Sequence, residues 1–187
     1  MKKCYIWRDC TRCPEGYAPP VNLYILRHGI AVERGTPGFK TDAERPLTPK
    51  GRRQLRQIAA ALQNLDLDFN LILASPFLRA RQTAEIIAQS RRRKKRVAFS
   101  DELTPGGNPK SLIQQLNELK PVPQNILLVG HEPYLSQLIG RLISGGATAD
   151  IGLKKGGLGK LETAALRFGR CATLAWLLTP KQMKCLA

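Results

Sequence analysis

The sequence of 187 residues is poor in histidine, in acidic residues and in long apolar runs. It contains 2 histidines, and its 14 acidic residues stand against 30 basic ones. No apolar run approaches the roughly 20 residues that a membrane-spanning helix needs. The N-terminal segment reaches Arg8 and Asp9 before a hydrophobic region of signal-peptide length can form. We therefore expect a cytoplasmic protein with no membrane partner.

Cysteines are few and show no framework spacing. The five lie at positions 4, 10, 13, 171 and 185, an odd number that argues against a disulfide-stapled secreted domain. Cys10 and Cys13 have the two-residue gap of a metal or redox pair, but no second pair accompanies them. Because a structural zinc site needs a full set of ligands, we expect free thiols, no bound metal and no cofactor.

Positive charge is abundant instead. The net charge is +16, and six basic residues follow one another from Arg91 to Arg96. Such a run is typical of a solvated surface connection, although it could attract an acidic protein or nucleic acid nonspecifically. No aromatic residues interleave with it, so we expect no specific nucleic-acid binding. A non-catalytic polyanion-binding module is one alternative function.

The chain divides into a short extension and one domain. Residues 1 to 20 end in a proline-rich stretch and are predicted to be a poorly structured N-terminal extension. Residues 21 to 187 have the length of a single domain, which is enough to bury a sizeable core.

Short apolar runs predict the strands of a sheet. Four of them alternate with helix signals, and the run over 126–129 is almost unbroken, as in a central strand covered on both faces. The last two segments have no obvious helix between them, which favours antiparallel pairing at a sheet edge. The predicted strand segments are 22–26, 71–74, 97–99, 126–129, 151–162 and 171–178.

A capping residue followed by proline precedes the predicted helices. The cap side chain accepts a backbone hydrogen bond, and proline fits the first turn. Apolar residues then recur at spacings of three and four, from Phe77 in the second helix and up to Leu119 in the third. The alternation predicts an α/β fold, a three-layer α/β/α sandwich with a mostly parallel central sheet and an antiparallel edge. The pairs are Thr48-Pro49, Ser75-Pro76, Asn108-Pro109 and, more loosely, Glu132-Pro133.

Both histidines follow a predicted strand. His28 ends the apolar run that begins at Leu23, and His131 ends the run that begins at Ile126. Ligands of parallel α/β sheets bind at the carboxyl ends of strands, so the two side chains are expected to meet at one site. The structural alternative for each is a hydrogen-bonded loop histidine.

Arginines accompany the histidines at the same edge. Arg27 is adjacent to His28, and Arg79 falls in the first turn of the helix after Ser75. Guanidinium groups bind phosphate oxygens in bidentate fashion and stay charged at every working pH. Together with the histidines and the amides of helix N-termini, they predict a pocket for a phosphate-like dianion.

Three motifs at these strand ends carry a family resemblance. In this order they resemble the histidine phosphatase superfamily, the phosphoglycerate-mutase-like proteins, over about Asn22 to Glu162. The resemblance implies a phosphoglycerate-mutase-like fold. The motifs are Arg27-His28-Gly29, Ser75-Pro76-Phe77-Leu78-Arg79-Ala80 with Gln82-Thr83-Ala84, and Val129-Gly130-His131.

Within this superfamily, the chain is similar to the small SixA-type phosphohistidine phosphatases. Larger members that act on sugar phosphates carry longer insertions after the second helix, where this chain has only the basic run. The further points of similarity are Arg45-Pro46-Leu47-Thr48 and Glu102-Leu103-Thr104-Pro105.

The resemblance implies a role for each residue of the pocket. His28 would be the nucleophile that attacks phosphorus and is transiently phosphorylated. Arg27, Arg79 and His131 would bind the equatorial phosphoryl oxygens and stabilise the charge of the transition state. Arg45 would close the pocket from the first loop. No metal is implied, because arginines supply the electrostatic role that magnesium has in other phosphoryl transfers.

The leaving group decides the substrate class. Departure of an alkoxide usually needs a general acid, and the candidate is Glu102, just after the third strand. The alternative for Glu102 is a helix-capping or solvated carboxylate. Imidazole leaves readily once it is protonated, so a remote Glu102 would favour phosphohistidine as the substrate.

The resemblance thus implies a phosphatase that removes phosphate from phosphohistidine on a protein, such as a phosphorelay domain. The reaction would pass through a covalent phospho-His28 intermediate. A phosphatase for small phosphate esters is the enzymatic alternative. We expect a monomer whose site phosphate or sulfate can occupy.

Overall fold

The computed structural model describes residues 20–90, 96–146 and 150–187. The predicted extension at residues 1 to 20 lies outside the described residues except for Pro20. The same holds for residues 91–95 of the basic run and for the first three cysteines. Cys171 and Cys185 are free thiols, as predicted.

Six strands of the described residues form one mixed sheet. They are β1 (Val21–Arg27), β2 (Leu71–Ala74), β3 (Val97–Phe99), β4 (Asn125–Gly130), β5 (Leu158–Thr163) and β6 (Thr173–Leu178). Their order across the sheet is β3-β2-β4-β1-β5-β6. The first four in this order run parallel, while β5 and β6 pair antiparallel at one edge. The predicted mostly parallel sheet with an antiparallel edge is confirmed.

Helices cover both faces of this sheet. They are α1 (Pro49–Asn64), α2 (Leu78–Gln89), α3 (Pro109–Glu118), α4 (Tyr134–Ser144) and α5 (Pro180–Lys184). α1, α2 and α5 pack on one face, and α3 and α4 pack on the other, which confirms the three-layer architecture. α5 is an element that the sequence pattern does not predict. Within the described ranges, no helix has the length and apolar character needed to cross a membrane.

Strand β1 contributes to both core layers. Tyr24 and Leu26 belong to the core on the side of α1 and α2, whereas Leu23 and Ile25 belong to the core on the side of α3 and α4. This alternation follows from the side-chain period of two along a strand. Burial of both faces requires an almost continuous apolar sequence. The same burial fixes the position of the carboxyl end of β1, from which His28 follows.

Two helices begin at the predicted caps. Thr48 accepts a hydrogen bond from the Gly51 amide at 3.0 Å, and Asn108 accepts one from the Lys110 amide at 2.9 Å. At the other end of α3, Leu119 is the C-cap and lies just outside the helix. The cap chemistry therefore predicts where α1 and α3 begin, while the apolar spacing extends α3 by one residue too many.

The predicted cap of α2 is wrong. α2 begins at Leu78, and its N-cap is Phe77, which makes no side-chain capping hydrogen bond. The Ser75 hydroxyl instead accepts from the Phe77 amide at 3.3 Å and contacts a histidine ring. α4 likewise begins at Tyr134 without a side-chain cap. A serine before a proline has the same sequence signature in both roles, so the pattern alone does not separate them.

The predicted strand over 151–162 is shorter in the structure. Only its second half pairs, as β5, and residues 151–157 form a loop. In that loop the Gly156 amide donates to the carbonyl oxygens of Arg27 and His28, both at 3.1 Å. Gly156 has a φ of +79°, a conformation that glycine adopts without steric strain. The loop therefore folds over the end of β1 instead of extending the sheet.

Replacing Gly51 by alanine tests how closely α1 packs on the loop after β1. A Cβ at Gly51 would lie 2.1 Å from the backbone oxygen of Ile30. Alanine favours a helix over glycine by about 1 kcal/mol. We nevertheless expect Gly51→Ala to lower the free energy of unfolding by about 1–3 kcal/mol, because the overlap is with backbone. Urea denaturation measures this difference.

The matched control is Gly106→Ala, because no atom lies within 4 Å of a Cβ built at Gly106. We expect this variant to match the wild type within about 0.5 kcal/mol. Equal stability of the Gly51 and Gly106 variants would contradict the close approach.

Candidate active site

The two histidines lie side by side at the carboxyl ends of β1 and β4. These strands are parallel neighbours in which Arg27 pairs with Gly130, so the next residues, His28 and His131, emerge together. Their ring centroids are 5.0 Å apart, with the ring planes at 55°. Both side chains are buried, at 7% and 2% exposure. The structure thus brings together two histidines that are distant in sequence.

The ring of His28 is oriented by its own loop. Its Nδ1 lies 2.7 Å from the carbonyl oxygen of Gly29. Because a carbonyl oxygen only accepts, Nδ1 carries the proton of the neutral ring and Nε2 keeps its lone pair. Arg79 donates from Nε toward that Nε2 at 3.3 Å. Nε2 is therefore the reactive nitrogen, and it faces a guanidinium.

Burial keeps His28 in its neutral form. Desolvation is the largest cause that lowers the pKa of His28, to about 4. The hydrogen bond to Gly29 opposes this shift, while the positive charges of Arg79 and Arg27 add to it. A nucleophilic imidazole must be unprotonated, so His28 is in its reactive form at neutral pH.

His131 is held in place by Ser75. Its Nε2 lies 2.9 Å from the Ser75 Oγ, and its Nδ1 is buried without a hydrogen-bond partner. Phe77 packs edge-on against the ring, with 5.2 Å between centroids. Burial, followed by the effects of His28 and Arg79, lowers the pKa of His131 to about 3. A neutral ring whose Nε2 accepts from the serine hydroxyl has Nδ1–H as its remaining donor.

Arg79, in the first turn of α2, connects His28 to the loop after β1. Besides the contact to His28, its Nη1 donates to the backbone oxygen of Asp42 at 2.6 Å, and its Nη2 lies 2.7 Å from the Asp42 Oδ2. Its guanidinium carbon lies 5.2 Å from the centroid of the Phe77 ring. Burial lowers the pKa of Arg79, and the hydrogen bond to Asp42 raises it. The result is a buried cation held in a defined orientation.

Two further residues of α2 hydrogen-bond to the segment that follows His28. Thr83 accepts from the Gly29 amide at 3.1 Å and donates to the Arg79 carbonyl at 2.7 Å. Gln82 accepts from the Leu47 amide at 2.8 Å. These contacts give a physical reason for the Gln-Thr pair that follows the arginine in the second motif.

Arg27 is a second guanidinium next to His28. Its Nη1 donates to the Leu153 carbonyl at 2.8 Å, and its Nε is buried without a partner. Burial lowers the pKa of Arg27, whereas the charge of Glu132 raises it. A buried N–H without an acceptor is costly, so Nε is a donor available to an anion.

The side chains of Arg27, His28, Arg79 and His131 line one cavity of about 300 Å³ at the carboxyl ends of the parallel strands. Arg45 also lines it, but its Nε and Nη2 contact Asp42 and its Nη1 donates to Val32. The cavity brings together every predicted site residue except the general-acid candidate. The lining residues are Arg27, His28, Ala31, Val32, Glu33, Arg34, Arg45, Arg79, Pro105, His131, Glu132 and Lys155.

Glu102 is the predicted site residue that does not belong to this lining. Its Oε2 accepts from the Asn108 amide at 2.7 Å, at the start of α3. This contact matches the helix-capping alternative for Glu102. Its role as a general acid stays a prediction.

Sequence reasoning missed three carboxylates near the cavity, which are Asp42, Glu132 and Glu33. Asp42 lies three residues before Arg45, so the spacing of this ion pair was a signal that could have found it. Glu132 carries no signal beyond its place next to His131. Burial raises the pKa of Glu132, whose Oε2 contacts Ser136 and whose Oε1 is buried without a partner.

The chemistry of the cavity is that of an anion site. Most of its charged lining is cationic, and guanidinium groups match the oxygens of a phosphoryl group. Among the described residues, no group of three or more His, Cys, Asp or Glu side chains is placed to hold a metal ion. The arrangement can hold a phosphoryl group against the Nε2 of His28.

Comparison with known proteins agrees with this chemistry. The histidine phosphatase superfamily (branch 1) matches residues 23–104. The chain is 37% identical to an uncharacterized protein of Picosynechococcus sp. over 148 residues, which cover 79% of this chain and 88% of that protein. It is 29% identical to the phosphohistidine phosphatase SixA of Escherichia coli over 126 residues, or 67% of this chain and 76% of that enzyme.

The fold is also similar to that of a solved structure. The structure of the protein histidine phosphatase SixA complexed with tungstate has a TM-score of 0.69 to this chain at 24% identity. The match covers 86% of this chain and 98% of that structure. With its two histidines paired at the sheet edge and arginines around them, this protein belongs to the histidine phosphatase superfamily.

Proposed function

We propose that this protein removes the phosphoryl group from phosphohistidine on a protein substrate, through a covalent phospho-His28 intermediate. The observation that carries the proposal is the buried, neutral His28, whose Nε2 faces the Arg79 guanidinium at 3.3 Å. Similarity to the phosphohistidine phosphatase SixA supports this substrate class, with a phosphorelay domain of a cytoplasmic partner as the expected substrate.

The reaction proceeds in two displacements at phosphorus. In the first, the Nε2 lone pair of His28 bonds to phosphorus while the phosphorus–nitrogen bond of the substrate breaks, and the protonated substrate imidazole leaves as neutral histidine. In the second, water attacks phospho-His28, the phosphorus–Nε2 bond breaks, and inorganic phosphate is released. The substrate imidazole takes one proton from solution when it leaves, and the attacking water returns one proton to solution, so the protons balance.

The cationic lining stabilises both displacements. Arg79 and the unpartnered Nε of Arg27 are positioned beside the nucleophile to bind equatorial oxygens. The Nδ1–H of His131 is a third donor, since Ser75 occupies the other ring nitrogen. Because these groups are buried, their interaction with the developing charge is stronger than in water.

The carboxylates near the site favour an imidazole leaving group over an alkoxide. Glu102 holds the start of α3 through the Asn108 amide. Glu132 lines the cavity, but its Oε2 contacts Ser136 and its Oε1 is shielded from solvent. Glu102 is absent from the cavity lining and the Glu132 carboxylate is engaged by Ser136, so we expect neither to act as the proton donor for an alkoxide. An imidazole that leaves in protonated form does not need such a donor.

Access to the cavity favours a substrate on a protein surface. The chain passes from α2 to β3 through residues 90–96 alone, which leaves no room for an inserted helical subdomain over the site. We expect a monomer to bind such a partner around the open mouth of the cavity, with phosphate or sulfate able to occupy the phosphoryl position.

Replacing His28 by alanine tests the nucleophile. We expect His28→Ala to lower turnover of a phosphohistidine peptide by more than about 1,000-fold, because the covalent step has no substitute. Wild-type enzyme quenched in alkaline denaturant, which preserves the acid-labile phosphorus–nitrogen bond, should carry a mass shift of one phosphoryl group on His28. A wild type that turns over substrate without this adduct would contradict the mechanism.

The same assay separates the alternative functions. Turnover of a phosphohistidine peptide is compared with turnover of sugar phosphates, each with and without a chelator. We expect the chelator to leave turnover unchanged. A preference for sugar phosphates would favour a small-ester phosphatase. Absence of turnover together with salt-sensitive polyanion binding that His28→Ala leaves unchanged would favour a non-catalytic binding module.

The titration of the two rings tests their neutral state. An unperturbed histidine gains its proton near a pH of about 6.5. Burial lowers the pKa of His28 to about 4 and that of His131 to about 3, so neither ring should titrate between about pH 8 and pH 5. NMR of the imidazole C–H signals measures this directly, and His131→Asn assigns the remaining signal. A midpoint near 6.5 for His28 would contradict its burial.

Replacing Ser75 by alanine tests how His131 is held. Loss of one hydrogen bond to the ring should lower kcat by about 3- to 10-fold while the fold is kept. Steady-state kinetics with an aryl phosphate measures the change. Ser144→Ala at the end of α4 is the control, and equal kcat in both variants would show that His131 needs no such support.

A further inference from the structure

Asp42 lies at the centre of an arginine cluster beside the nucleophile. Its Oδ2 is 2.7 Å from the Arg79 Nη2, and its backbone oxygen accepts from the Arg79 Nη1 at 2.6 Å. Its Oδ1 is 2.6 Å from the Arg45 Nη2 and 2.9 Å from the Arg45 Nε. The same oxygen is 3.2 Å from the Arg34 Nε. One aspartate thus contacts three guanidinium groups that line the cavity.

The contacts to Asp42 use the end edge of the Arg79 guanidinium, while its Nε contacts His28. A guanidinium carries its N–H donors in a plane, along an end edge with both Nη atoms and a side edge that includes Nε. Asp42 accepts from both Nη atoms, and Nε points to the Nε2 of His28 at 3.3 Å. The side edge therefore faces the place where a phosphoryl group must lie to be attacked.

Burial makes this orientation depend on Asp42. The Arg79 side chain is 4% exposed, while the Asp42 side chain is 27% exposed. A buried cation whose carboxylate is removed keeps its desolvation cost and loses its main constraint. Burial raises the pKa of Asp42, but the hydrogen bonds from Arg45 and Arg79 lower it to about 2, so the carboxylate stays charged.

We infer that Asp42 is a positioning residue that holds Arg79 by its Nη end, so that the Nε edge meets the phosphoryl group in line with His28. Its Oδ1 fixes Arg45 at the wall of the same cavity. Asp42 does not itself contact the phosphoryl group and acts through these arginines. The inference rests on the proposed function, because the phosphoryl position is defined by attack from His28.

Replacing Asp42 by asparagine tests this role with little change in shape. We expect Asp42→Asn to lower kcat for an aryl phosphate by about 100-fold, because a displaced arginine no longer meets the transition state. KM should change by less than about threefold. The control is Asp66→Asn, which removes the same charge at an exposed turn whose φ of +50° suits asparagine. Its kcat should equal that of the wild type.

A double-mutant cycle with Arg79→Ala shows whether Asp42 acts through Arg79. The double variant lacks both charges of the Asp42–Arg79 pair and so leaves no unpaired Arg79 cation, which keeps it measurable even if Asp42→Asn alone folds poorly. We expect Asp42→Asn to change kcat/KM by less than about twofold in the Arg79→Ala background. If the fold losses in kcat/KM of the two single variants multiply in the double variant, the two residues act independently and the inference is overturned.

Inhibition by inorganic phosphate tests the opposite role, in which the carboxylate occupies the phosphate position until substrate displaces it. Full kcat in Asp42→Asn together with tighter phosphate inhibition would establish that role and overturn the inference. The double-mutant cycle uses an aryl phosphate. If the wild-type enzyme hydrolyses this ester but no phosphohistidine peptide, only the proposed substrate is disproved. Wild-type enzyme that hydrolyses neither disproves both.

Discussion

The parallel pairing of β1 with β4 is the constraint on which the rest of the site depends. Hydrogen bonds between the strands set Arg27 opposite Gly130, and the ladder continues because the His28 amide donates to the Gly130 carbonyl at 3.1 Å. A shift of one residue in either strand would turn its histidine to the other face of the sheet. Since apolar side chains bury both faces of these strands, the core itself enforces this register. Hydrophobic packing in the core, away from the cavity, thus sets the distance between the two histidine rings.

Electrostatics at this edge combine two requirements that are usually in conflict. A phosphate site needs positive charge, and a nucleophile needs to be uncharged. Here the guanidinium groups and the low polarity around His28 both disfavour its imidazolium form, so the positive charge that suits an anion also keeps this ring neutral. The cost is a set of buried cations, and Asp42 offsets part of it by contacting Arg79 and Arg45 at once.

The sequence was sufficient to predict the order of the strands along the chain, the starts of α1 and α3 and the meeting of the two histidines. These features depend on local patterns: apolar runs, cap chemistry and the position of a residue at a strand end. It was not sufficient where one pattern has two physical meanings. Ser75 matches a helix cap, yet its hydroxyl holds His131. Asp42 begins a 3-10 helix of three residues, Asp42–Glu44, which is too short to show a periodicity, and its contact with Arg79 bridges 37 positions that only the folded chain brings together.

The loop before β5, residues 151–157, contacts the segment around His28 although the two are distant in sequence. Its Gly156 amide bonds to the carbonyls of Arg27 and His28, and its Leu153 carbonyl anchors the Arg27 side chain across 126 positions. During synthesis, both histidines and Arg79 leave the ribosome before this loop does. A nascent chain that ends after α4 therefore has both histidines and Arg79 but lacks the anchor for Arg27. Completion of the cavity thus waits until the loop before β5 has been made.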